Sequence, residues 1–463
     1  MRFFLGSDLR SNQNIFSITV TQSNASHTGD TTIEKNGTAS LTFSPSTGYE
    51  LPSTITVIGA SYSWVESSGA LQLYNPTQNI TVVVNATLET PAKIYGVSGL
   101  YAASSALTRT DDAVGLSYLF DDNSGQMQSD FDLVFPWNEA TAIEVGENKF
   151  LRLPDMWFRV GTDQNGNITD VAVSKKRGAV GDWYKVDSFC YGCYEGGTFD
   201  NVPEGTQKLY SNTDSFRIIN NTSRASARAM ADRNNTNGKH EYFELDLYHQ
   251  TVMLFLWYIE FAEKNAKNLF GLINFEQTPY YLFGAGALGS TDVLSTPSGL
   301  VLLGEGYNDG FAMRWHYIEN FIGGPMRSIE GIVGRGGISR AQYVTADPAK
   351  FTDDPTSADL NRLSYDAPSE SPSYQTYTGL ALAFGWDPNN PFMVMPKEAE
   401  QDGTAYNTYL CSKIDLLNDP PCWWGVGWNG TLSDGFNLAS YWHGFIELSH
   451  SYSGARLLYK PQV

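Results

Sequence analysis

Basic side chains are scarce in this sequence: Lys and Arg number 30 against 50 Asp and Glu, a formal net charge of −20 at pH 7. So acidic a chain offers no basic surface to replace phosphate counterions, which argues against nucleic acid as a partner. Cysteine is scarcer still, four in 463 residues, too few for a scaffold built on disulfides. No run reaches the ~18 to 20 apolar residues of a membrane span, so no membrane insertion is expected. Low-complexity tracts and fixed-period repeats are also missing. What remains, 41% hydrophobic and 17% charged residues, describes an ordered chain long enough for two to four domains.

After an N-terminal segment, 1–14, apolar residues alternate with polar ones in "IFSITV", "ASLTF", "STITVIG", "SYSW", "ALQLY" and "NITVVVNA". The inward sets predicted are Phe16/Ile18/Val20, Leu41/Phe43, Ile55/Val57, Tyr62/Trp64, Leu71/Leu73 and Ile80/Val82/Val84, separated by Gly, Pro and Asn turns. Six or seven short strands in this span predict a small β-sandwich over 15–92. "LETPAKIYGVSG" reads as a linker, with Pro91 ending the last strand. Beyond it, 98–463 reads as one α+β domain of short strands and long Gly/Asn/Asp loops. "TSRASARAMADR" predicts a short helix capped by Thr222 or Ser223. "FELDLYHQTVMLFLWYIEFAEKNAKNLFG" predicts a longer one ending before Gly271, with Leu247, Phe255, Tyr258, Ile259 and Ala262 near one face. Being apolar nearly all round, it is expected to be buried.

Reactive chemistry finds little support. Cys190 and Cys193 stand at x2 spacing in "CYGC", but ten residues part Cys411 from Cys422, wrong for a zinc knuckle. Isolated thiols or one disulfide are the preferred reading. His443 and His450, with Glu447 between, are an odd number of residues apart and would point to opposite faces of one strand. The acid pairs Asp111-Asp112, Asp353-Asp354 and Glu400 with Asp402 could serve a glycosidase only at ~5 to 10 Å, a distance that sequence does not fix. In a chain of this charge they read as solvated loops. No Ser-His-Asp arrangement, phosphate loop or dinucleotide fingerprint stands out. The expectation is no enzyme, no cofactor and no metal.

The region "GWNGTLSDGFNLASYWHGFIELSHSYSGARLLY", 427–459, is different in kind. It crowds Trp428, Phe436, Tyr441, Trp442, Phe445, Tyr452 and Tyr459 among Ser, Asn and His, with Asp434, Glu447 and Arg456 as its only charges. Rigid rings with adaptable amides and hydroxyls are the composition of a recognition surface.

An ordered set of landmarks carries a resemblance. "GVSGL" and "LTRTDDAVGL" precede "DFDLVFPWNEA", "NKFLRLPDMWFRV", "VAVSKK" and "YGCYEGG". Then come "SRASARAMADRNN", "LFLWYIEFAEKNAKNLFG", "RWHYIENFIGGPMRSIEGI", "GWDPNNPFMVMPKEAEQDGTAYNTYLCSK", "GVGWNGTLSDGF" and "SGARLLY". Over about residues 95–463 the set resembles phage proteins with a C-type-lectin-like fold related to formylglycine-generating enzymes. These include receptor-binding proteins varied by diversity-generating retroelements. "GYELPSTITVIGASYSWVESSGALQLYNPTQNITVVV" similarly resembles an immunoglobulin-like module of bacterial surface and phage proteins, expected here as a spacer rather than a docking domain.

The resemblance implies a mainly β and α+β protein, an N-terminal immunoglobulin-like β-sandwich followed by a C-type-lectin-like α+β domain. Its exchangeable side chains would lie between Gly427-Trp428 and Gly454-Ala455-Arg456-Leu457. The matching positions are Asn429, Thr431, Leu432, Asp434, Asn437, Ser440, Tyr441, Trp442 and His443; Trp423 and Trp424 join them as stacking residues. Trp428, Phe436, Arg456 and Leu457 would be framework. Met326-Arg327-Ser328-Ile329 departs from the aromatic and acidic pair the family pattern suggests, and is taken as structural. Formylglycine-generating relatives hold copper with a cysteine pair; Cys411 and Cys422 are too far apart for that and are assigned to packing.

The function implied is a virion adhesin, a tail or head fibre protein made in the host cytoplasm. It would bind a bacterial surface glycan or protein receptor, contact other virion proteins through its N-terminal region, and act as a homotrimer. The alternative is a structural fibre or decoration protein without receptor contact. "MRFFLGSDLRSNQN" falls short of a secretory h-region, so release by lysis is the expected route outside the cell.

Overall fold

A computed structural model describes residues 15–461 except 47–48, 89–91, 103, 105, 122, 200–201, 204, 214–216, 220–221, 237, 265–287, 303–310, 322–325, 336–340, 367–376, 379–380, 400–409, 412–420, 427–443 and 446–452. The chain divides into two compact units, Met1–Pro91 and Ala92–Val463. Each has a hydrophobic core of its own.

In the first unit, period-two alternation becomes alternating burial. Along Ile15–Ser23, Phe16, Ile18 and Val20 are half-buried while the residues between them are exposed. This strand runs parallel to Ile80–Asn85, where Ile80, Val82 and Val84 are sealed. One sheet has the order Thr32–Glu34, Ile15–Ser23, Ile80–Asn85, Thr56–Ile58; the other runs Ala25–Gly29, Thr38–Pro45, Ala70–Tyr74, Ser61–Val65. Leu41, Phe43, Leu71 and Leu73 of the second sheet share one cluster with Ile80, Val82 and Val84 of the first, which makes the unit a β-sandwich. Tyr62 departs from its predicted inward place. It lies on the edge strand Ser61–Val65 and stays exposed, its hydroxyl donating to the Ile55 carbonyl at 3.2 Å, while Trp64 covers the core.

The second unit is also mainly β, with two α-helices among the described residues. Ser223 caps α1 (Arg224–Asp232), its hydroxyl accepting from the Ser226 amide. Asp246 caps α2 (Leu247–Phe261) by accepting from the His249 amide, and Ala262 closes it in the left-handed region at φ 52°. α2 is therefore shorter at both ends than its apolar pattern suggests. Tyr242–Glu244 is drawn into a sheet against Leu457–Tyr459, and the predicted continuation toward Gly271 falls in 265–287, outside the described residues. Every residue of α2 except Tyr248 is buried, as its all-round apolar composition predicts. At about 1.5–3 kcal/mol for each fully buried Leu, Val or Phe, this helix contributes substantially to the core of the second unit. No helix among the described residues is long and apolar enough to cross a membrane.

Two sheets take in the last strands of the chain. In one, the C-terminal strand Leu457–Tyr459 sits between Phe189–Gly192 and Tyr242–Glu244. The other has the order Asn361–Arg362, Gln342–Val344, Met326–Arg335, Pro421–Val426, Gly444–Phe445, and Ser453–Gly454 also pairs with Met326–Arg335.

Candidate functional site

The expected recognition segment is bracketed by paired strands. Pro421–Val426 lies antiparallel to Met326–Arg335, with Arg327↔Val426, Ser328↔Gly425 and Ile329↔Trp424 in register. The chain returns at Gly444–Phe445, where Cys422 pairs with Phe445 and Trp423 with Gly444. Ser453 and Gly454 then pair in parallel with Met326 and Arg327. The strands on either side of residues 427–443, Pro421–Val426 and Gly444–Phe445, are thus neighbours in one sheet. Trp423 and Trp424 are placed in that departing strand. Asn429, Thr431, Leu432, Asp434, Asn437, Ser440, Tyr441, Trp442 and His443 lie outside the described residues, as do Trp428, Phe436, Glu447 and His450.

Met326–Arg335 is the strand on which this arrangement hangs, and buried charge fixes it. Arg327 Nε donates to both carboxylate oxygens of Glu195, each at 2.9 Å, and its Nη2 donates to Glu195 and to the Asn320 carbonyl. Arg456 reaches the same carboxylate through Nη2 at 2.8 Å; it also donates to the carbonyls of Gly192 at 2.7 Å and Glu319 at 2.6 Å. Both guanidinium groups and the carboxylate are buried. Burial works against the Arg327 charge, but Glu195 outweighs it and holds the guanidinium above its usual range. Such a group adds little over an apolar core, yet removing one partner costs about 3–5 kcal/mol because a buried charge is left uncompensated. Arg456 and Leu457, expected as framework, are both wholly buried.

A second ionic cluster follows along the same strand. Glu330 accepts from Arg228 Nε at 2.8 Å, while Arg224 and Arg228 converge on Asp353. Ser328 donates to Glu244. From sequence, "MRSIEGI" reads only as a structural departure; that its Arg and Glu are the ionic anchors emerges from the fold. The available signal was charge inside an otherwise apolar strand, which burial obliges to be paired.

Of the remaining reactive candidates, those described are ion-paired or buried. Asp111 pairs with Arg159 at 2.9 Å and Asp112 with Lys93 at 2.6 Å, while Glu400 and Asp402 lie outside the described residues. Cys190 and Cys193 are free and buried in separate hydrophobic clusters. Burial pushes their thiols up to about 11 and about 12, so neither is a thiolate at neutral pH. For Cys411 and Cys422 only backbone pairing is described, Tyr377↔Cys411 and Cys422↔Phe445. His316, scattered among six histidines in the sequence, is a buried clamp. Its Nε2 lies 2.8 Å from Glu260 and its Nδ1 3.2 Å from Asp132, with the ring stacked on Trp137 at 3.7 Å.

No protein-family model matches the chain, and a search of curated proteins finds no match.

Proposed function

We propose that the protein is a phage virion adhesin, with an immunoglobulin-like spacer and a C-type-lectin-like domain that holds a recognition face at residues 423–453. One observation carries this reading. An aromatic- and amide-rich segment is clamped at both ends into a single sheet whose central strand is fixed by buried ion pairs. A scaffold secured in this way tolerates change in the segment it presents. Trp423, Trp424, Tyr441 and Trp442 then supply stacking or packing area to a bacterial surface glycan or protein. Asn429, Asn437, Ser440 and His443 set the hydrogen bonds, with Thr431, Leu432 and Asp434 completing the face. One such face binds weakly, and a homotrimer raises it by avidity.

The test is adsorption. Particles carrying Tyr441→Ala with Trp442→Ala are expected to assemble in normal yield and lose attachment to host cells by tenfold or more, measured by depletion of free particles. Failure of assembly, with attachment per assembled particle unchanged, would favour a structural fibre or decoration role instead.

A further inference from the structure

A cavity of about 370 Å³ opens among strands other than those that carry the display segment. Lys149 comes from Asn148–Leu153, Tyr194 follows Phe189–Gly192, and Asp292 sits in the short 3-10 turn Ser290–Val293. Arg314 and Tyr317 come from the end of Phe311–Trp315 and the turn after it. The size is at the low end of the about 300–1,000 Å³ found for small-molecule sites, right for one ring rather than a long chain.

The polar groups are mixed in sign and held in place. The Tyr194 hydroxyl donates to the Asp292 carboxylate, at 2.8 and 3.0 Å from its two oxygens, and keeps lone pairs free to accept. The turn bearing Asp292 is fixed from beneath by Glu319, whose carboxylate accepts from the Gly289 amide at 3.0 Å and from the Thr291 amide and hydroxyl at 3.0 and 2.9 Å. Tyr317 is 43% exposed, and the Arg314 guanidinium lies 5.6 Å from its ring centre. His316 and Tyr317 form the two-residue turn between the paired Trp315 and Ile318, and both hold the left-handed backbone, at φ 44° and 67°, that such a hairpin requires.

Arg314 decides the chemistry. It is 6% exposed, yet no carboxylate lies within ion-pair distance among the described residues. Its Nη2 donates only to the carbonyls of Leu294, at 2.6 Å, and Thr296, and its Nε has no partner. A buried guanidinium satisfied only by carbonyls lacks its counter-charge. Desolvation duly lowers its pKa, against the more distant Asp292.

We propose that this cavity is a second binding site, specific for a sugar acid. Arg314 takes the carboxylate, Tyr317 the ring face, and Asp292 with Tyr194 the ring hydroxyls. The site belongs to different strands from the display segment and stands or falls independently of the adhesin reading.

The full chain is titrated by calorimetry and saturation-transfer NMR with glucuronate, with glucose as the same ring without its carboxylate, and with acetate as the carboxylate without a ring. Glucuronate is expected to saturate in the millimolar range, with glucose and acetate each at least about tenfold weaker, the scale of one charge-assisted pair. Arg314→Gln should abolish the preference for glucuronate over glucose. Tyr317→Ala, at an exposed position that leaves folding intact by circular dichroism, should weaken glucuronate binding severalfold. Equal binding of glucose and glucuronate, no saturation by about 50 mM, or full affinity in folded Tyr317→Ala would each overturn the proposal. A uronate tetrasaccharide separates the sources: binding of oligomer and monomer assigns a surface polysaccharide, binding of monomer alone a free sugar acid.

Discussion

Glu244 and Glu330 are two buried carboxyl groups that share one neighbourhood, and each has an oxygen without a partner. Burial first, and Glu330 second, raise the Glu244 pKa well above its ordinary value of 4.5. A carboxyl raised in this way stabilises the fold fully below its unfolded value, and the contribution is lost as pH rises through the folded one. Asp353 behaves in the opposite sense. Burial opposes its charge, but Arg224 and Arg228 outweigh burial and lower its pKa, so its contribution is present above the unfolded value and lost as pH falls through the folded one. Glu244→Gln keeps an acceptor for Ser328 and removes the titration. Melts from about pH 4 to 9 are expected to show the variant increasingly more stable than the parent as pH rises, with the gap closed near the acid end. Parallel curves would contradict this assignment. None of it is legible in "FELD" or "SIEGI", where both acids look like surface residues; what makes them buried is packing between segments far apart in sequence.

Among the elements, Met326–Arg335 shows most clearly what local pattern omits. Its pairing with Pro421–Val426 shifts between Ile329 and Gly334, so residues 330–333 stand opposite Trp423 alone. The same stretch pairs with Gln342–Val344 through Ile332 and Val333. Gly331 makes the irregularity possible at φ 75°, where an added Cβ would meet the Thr345 carbonyl at 2.6 Å. Gly146 has a similar φ of 61° with open space around it. Gly331→Ala should therefore cost clearly more than Gly146→Ala, roughly 2–4 against about 1 kcal/mol in urea unfolding. Equal costs would mean that the close approach is not limiting. Other elements were legible because one strong period governs them: the alternation of Ile80, Val82 and Val84 fixed a strand face, and unbroken apolarity placed α2 inside. The end of α2 was not, since Ala262 closes it without the glycine that a C-cap usually shows. Gly444–Phe445 was invisible too, because two residues carry no period.

For the whole molecule, the division at 91/92 and the separate core of the first unit predict independent folding. A fragment of residues 1–91 is expected to give a β-type far-UV spectrum and a cooperative melt, and the intact chain to show two transitions under conditions where that fragment and residues 92–463 melt apart. A fragment without cooperative unfolding would show that the sandwich depends on the rest of the chain. At this scale the sequence was informative about β content and about where the pattern changes. It was less so about the α+β balance of the second unit, where loops rich in Gly, Asn and Asp hide many short strands.

The pairing of Trp423 with Gly444 at the base of residues 427–443 bears on insert length as much as on composition. With both ends already joined by a ladder, doubling the contour between them adds only about 0.6 kcal/mol of closure entropy. The sheet is in effect a socket, indifferent to how much chain is plugged into it so long as the two pins at its mouth still fit.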